Sequence, residues 1–111
     1  MYQFSRELTL ESYKITKQFP NEEKFAMVQQ IRRAALSVHL NVAEGCSRKS
    51  VAERNRFFEI ARGSVIEVDA AVGVAYKLSY ITAEELQTIG DLIIKSFKIL
   101  SAMINRNNTD Y

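Results

Sequence analysis

At 111 residues the chain is long enough for one core and too short for two. With 47% hydrophobic and 25% charged residues, one proline and four glycines, a disordered or loop-rich chain is excluded. A net charge of +2 exerts no strong global pull on polyanions, and a single cysteine, Cys46, excludes an intrachain disulfide and fits a reducing compartment.

The first ten residues, MYQFSRELTL, hold no apolar run suited to a signal peptide, and no stretch approaches a membrane span. One cytoplasmic domain over 1–111 with no membrane partner is expected. The first helix is predicted over about 3–19, where Phe4, Leu8, Ile15 and Phe19 recur at helical spacing and Pro20 follows as a stop. Asn21 is placed to cap a second helix over about 22–44, with Glu22 and Glu23 in its first turn. Within it Val28, Ile31, Ala35, Val38 and Val42 form a heptad-like seam, and Gly45 reads as its stop.

Ser50 and Glu53 have the spacing of a capping box that opens a third helix, about 50–78. Its core stripe is predicted to be Phe57, Phe58, Ala61, Val65, Val68, Val72, Ala75 and Leu78. Thr82 and Glu85 form a second capping box before the fourth helix, about 83–105, with Leu86, Ile89, Ile93, Phe97, Leu100 and Ile104 inward. Tyr13 and Tyr76 are expected in the core by the same spacing. Four helices on short connections predict an all-α, antiparallel up-down four-helix bundle.

A monomeric bundle needs one apolar stripe per helix, and the two central helices carry two. Phe25, Leu36, Leu40 and Ala43 fall roughly 120° from the second helix's seam. Gly63, Ile66, Ala70 and Gly73 step along the third helix opposite its core. Each glycine inside a helix costs about 1 kcal/mol relative to alanine, and close approach of another helix is a reason to keep it. Phe25, Leu36, Leu40, Gly63, Ile66, Ala70 and Gly73 are therefore the predicted surface of a homo-oligomer, which also covers a patch that otherwise invites aggregation.

Charge is unevenly spread. From Lys24 to Arg62 there are eight basic residues against three acidic ones, Glu44, Glu53 and Glu59. Such asymmetry marks a surface for a polyanion or, equally, a solvated helical face. Arg32, Arg33, Arg48, Lys49, Arg54 and Arg56 are the candidate phosphate contacts. Arg62, inside an apolar helix, calls for a carboxylate, and Glu67 and Glu44 are predicted members of structural ion pairs. His39 and Cys46 are the sole residues of their types; a helix would hold them about 10 Å apart, too far for a nucleophile and its base. One histidine and one cysteine fall short of a zinc site, and no phosphate-cradling glycine motif is present. No catalytic residue, metal or cofactor is expected.

QIRRAALSVHLNVAEG, ending at Gly45, and FFEIARGSVIEVD, ending at Asp69, resemble the 23S rRNA intervening-sequence proteins. The resemblance spans nearly the whole chain, including the break at Phe19-Pro20 and LSYIT before the last helix. One departure is Ser37-Val38-His39, where that family commonly has proline third; its loss should straighten or extend the second helix. The resemblance implies a four-helix bundle assembling as a homopentamer. It also implies kinship with the accessory variability protein of diversity-generating retroelements, and association with RNA. The functional expectation is a non-enzymatic oligomer binding RNA or DNA electrostatically. The alternative is a protein–protein adaptor or scaffold whose partner is a polymerase or ribosomal component.

Overall fold

A computed structural model describes residues 2–109. It contains four α-helices and no strand among those residues: α1 (Gln3–Thr16), α2 (Met27–Ser47), α3 (Val51–Lys77) and α4 (Ala83–Thr109). Each helix packs on its neighbours in the chain, and α1 also packs on α4, so the four enclose one core. Leu8, Ile15, Ile31, Val38, Val42, Phe58, Val65, Val68, Ile89 and Leu100 fill it and are almost fully buried. Burying each large apolar side chain contributes about 1.5–3 kcal/mol, so the inward stripes, rather than helix propensity, hold the fold together.

The α1–α2 connection departs from the sequence prediction. Helix α1 ends at Thr16, because Pro20 supplies no N–H and the residue before it disfavours helical angles. Asn21 does not cap a long helix; Pro20 precedes a short 3-10 turn, Asn21–Glu23, without a side-chain cap. The chain then breaks at Ala26 (φ −121°, ψ −99°), and α2 starts at Met27. Glu23 occupies the break: its carboxylate accepts from the Met27 N–H at 3.4 Å and from the Tyr80 hydroxyl at 2.8 Å. Phe25 therefore lies outside α2.

Gly45 is not a stop. Helix α2 continues through it to Ser47, and Arg48 ends the helix in an extended conformation (φ −84°, ψ 150°). The glycine serves close approach: a Cβ there would stand 2.5 and 2.8 Å from two ring carbons of Phe58 on α3. Ser50 opens α3 as predicted, its Oγ accepting from the Glu53 N–H at 3.0 Å. The Thr82–Glu85 box forms in both directions, at 2.8 and 3.1 Å. Between them, α3 closes in a Schellman arrangement. Tyr80 N–H reaches Ala75 C=O and Ser79 N–H reaches Tyr76 C=O, both at 2.9 Å, with Ser79 left-handed (φ 65°).

Polar pairs fix the helix registers. Ser5 Oγ lies 2.8 Å from His39 Nδ1, Thr9 Oγ1 donates to Ala35 C=O at 3.1 Å, and Ser37 and Ser64 hydroxyls meet at 2.9 Å. His39 extends α2 through the position where a proline would interrupt its backbone hydrogen bonding. Three residues expected inside are exposed: Tyr76, Leu78 and Phe97. Leu78 has passed the end of α3, and Phe97 lies under the Arg62 guanidinium, 5.8 Å from ring centroid to charge. Tyr13 is half-buried beneath Arg32.

Candidate nucleic-acid interface

The six predicted phosphate contacts do not converge. Arg32 and Arg33 lie near the start of α2, and Arg48, Lys49, Arg54 and Arg56 lie beyond its end. Arg33 and Arg48 are fifteen positions apart, on the order of 22 Å along a helix. Arg33, Lys49 and Arg56 are exposed and have no partner among the described residues. Arg48 pairs with Glu44 at 2.9 Å and stacks on Phe57, 5.1 Å from the ring centroid. Arg54 is half-buried, its Nε enclosed without a hydrogen-bond partner among the described residues.

Arg32 is held differently. Its Nε donates to Thr16 Oγ1 at 2.8 Å, its Nη2 to Tyr13 C=O at 3.3 Å, and the guanidinium stacks 4.8 Å from the Tyr13 ring centroid. These bonds tie the cation to α1 without neutralising it. Beside it run two adjoining grooves of ≈ 370 and ≈ 280 Å³ that share Lys24, Val28 and Arg32. The larger is also lined by Tyr13, Phe25 and Arg33, the smaller by Lys17. No carboxylate lines either among the described residues. Phe25 is 82% exposed, with the Lys24 ammonium 5.5 Å from its ring centroid. Lys24, counted in the basic segment, and Lys17 are not among the predicted phosphate contacts. The signal for them was the Phe19-Pro20 break, which turns the end of α1 back toward the start of α2.

The predicted association surface is exposed. Leu40 and Ile66 are each 54% exposed, and Leu36, Gly63, Ala70 and Gly73 also face outward. A Cβ on Gly63 or Gly73 would meet nothing within 4 Å, so packing within the protomer requires neither glycine. Ile66 and Ile94 also line an apolar groove of ≈ 320 Å³ between α3 and α4. Arg62 turns to α4 rather than to Glu67: its Nη1 donates to Ser101 Oγ at 3.1 Å. Glu67 instead accepts from Gln30 Nε2 at 3.5 Å.

His39 and Cys46 are not assembled for chemistry. Burial, then the Arg6 charge, hold the His39 pKa below its ordinary value. Burial pushes the Cys46 thiol up, against the opposing pull of Arg54. No group of three or more metal-ligating side chains occurs among the described residues, and no described helix is long and apolar enough to cross a membrane.

Comparison with known proteins fits these elements. The chain is similar to a crystal structure of a protein of unknown function from the S23 ribosomal protein family of Bacteroides thetaiotaomicron VPI-5482. The TM-score is 0.86 at 26% identity, covering 93% of this chain and 96% of that one. No curated protein matches. Residues 1–102 match the model of the 23S rRNA-intervening sequence protein, a span running from α1 through most of α4. With α1 to α3, most of α4, the glycine under Phe58 and the two arginine clusters inside that span, the chain belongs to the 23S rRNA-intervening sequence protein family.

Proposed function

We propose that this protein is a non-enzymatic, cytoplasmic, homo-oligomeric scaffold that binds nucleic acid through repeated basic surfaces. The carrying observation is that Arg33, Lys49 and Arg56 stand exposed without a partner among the described residues. A solvated face that served only solubility would intersperse both signs, and the grooves beside Arg32 and Arg33 carry no carboxylate among the described residues. Cations left unneutralised at two places on one small protomer instead favour a polyanion, and repetition around an oligomer turns weak contacts into avidity. The four helices alternate up and down in this reading, supported by pairs that run in opposite senses: Ser5 with His39 but Thr16 with Arg32, and Ser37 with Ser64 but Gly45 with Phe58.

Self-association uses Leu36 and Leu40 of α2 with Gly63, Ile66, Ala70 and Gly73 of α3. The exposed apolar groups favour this, as do two glycines that nothing inside the protomer requires. A pentamer is the assembly the family resemblance implies. The test is an anisotropy titration of labelled single- and double-stranded RNA and DNA, at about 50 and about 200 mM salt, on protein whose mass is measured by light scattering. Micromolar binding that weakens steeply with salt, by a multimer, supports the reading. An assembled protein that binds none of the four at low salt overturns it in favour of a protein–protein adaptor.

A further inference from the structure

We propose that the groove between the end of α1 and the start of α2 is a site for single-stranded nucleic acid, in which a base stacks on Phe25 while Lys17, Lys24, Arg32 and Arg33 meet the flanking phosphates. The proposal rests on the nucleic-acid reading above and places the site within it. Three observations converge on the groove. First, four cations line it and no carboxylate does among the described residues, so its field is single-signed. Second, the chain break at Ala26 presents Phe25 outward at 82% exposure, next to those cations, with Leu36 lining the same groove. Third, Arg32 is pinned by Thr16 and Tyr13, so one positive group of the floor is preorganised.

Aromatic faces interleaved with cations recognise single strands, because every base offers a π-face and every nucleotide a phosphate. A duplex keeps its bases stacked on one another and gives Phe25 nothing to stack on. A second copy of the chain is the weaker occupant. The outward face of α3, an exposed apolar surface elsewhere on the protomer, mixes Glu59, Glu67 and Asp69 with Arg56 and Lys77 and does not supply a single-signed complement.

The chain contains no tryptophan, so Phe25→Trp installs one reporter in the groove. Titration with a single-stranded RNA or DNA of about ten nucleotides should quench its fluorescence, while a duplex of the same length should not. With four phosphate contacts on a single strand, raising salt from about 50 to about 200 mM should weaken binding about 50-fold. The double variant Lys24→Ala/Arg33→Ala should bind at least about tenfold more weakly, with the salt effect reduced to about sevenfold. RNA and DNA arms identify which strand is preferred. Strand binding by anisotropy without quench, and undiminished in Lys24→Ala/Arg33→Ala, overturns the groove while leaving nucleic-acid binding intact. Absence of all binding by the wild type overturns both. Equal quench by a polyglutamate peptide, or a change in oligomeric mass in the groove variant, also overturns it, because the groove then receives protein.

Discussion

Replacing Gly45 with alanine sets two effects of known size against each other. In an unobstructed helix interior the change gains about 1 kcal/mol. At Gly45 the new Cβ would stand 2.5 Å and 2.8 Å from Phe58 ring carbons and 3.2 Å from Phe57 Cβ. Favourable carbon contacts lie near 3.5–4.0 Å, so about 1 Å must be found. Phe58 is 1% exposed and enclosed by the core, which leaves its ring no open direction to swing into. Overpacking of this kind costs about 1–3 kcal/mol, through off-rotamer side chains or helix displacement. The clash lies at the upper part of that range, so net destabilisation of about 1–2 kcal/mol is expected. For a domain of this size that lowers Tm by roughly 5–10 °C at fixed protein concentration. Circular dichroism melts and urea titrations of wild type, Gly45→Ala, Phe58→Leu and the double variant measure it, and the double variant should recover part of the loss. A Gly45→Ala protein as stable as wild type refutes the close-approach argument.

The other glycines give the contrasting case. Gly63→Ala and Gly73→Ala meet no atom in the protomer, so each should stabilise the dissociated chain by up to about 1 kcal/mol while weakening self-association; light scattering across a dilution series would contradict this if assembly were unaffected. Ser79→Gly should raise stability by about 0.5 kcal/mol in urea, since relief of the left-handed conformation, about 1–2 kcal/mol, outweighs the entropy of a freer unfolded chain, about 0.4–1 kcal/mol; a lowered urea midpoint counts against it. His39 has a folded pKa held below 6.5 by burial first and Arg6 second, so the unfolded chain takes up the proton at higher pH. Its contribution is complete above about pH 6.5 and declines as pH falls through that value toward the folded pKa; urea midpoints at about pH 8 and about pH 5 should differ more for wild type than for His39→Gln, and equal differences would remove His39 from the account.

Periodicity identified the all-α class, the inward seam of α2 and most of that of α3, and capping-box spacing identified Ser50 and Thr82. These features are local: a stripe repeats within one helix, and a cap bonds its own first turn. The outward faces at Leu40 and Ile66 were legible for the same reason, since a helix wheel shows what cannot face a single core. What lay beyond sequence was every feature that depends on distance between helices. Gly45 reads as a stop until Phe58 of α3 is seen against it, and Arg62 calls for a carboxylate until Ser101 and Phe97 are found beneath it. Composition counted the cations from Lys24 to Arg62 as one patch, but the length of α2 separates them into two. Lys17 and Lys24 joined Arg32 and Arg33 only because Pro20 and the break at Ala26 fold α1 back alongside α2. A sequence records which residue follows which along one axis, and the field at a site depends on separations that only the packed helices define.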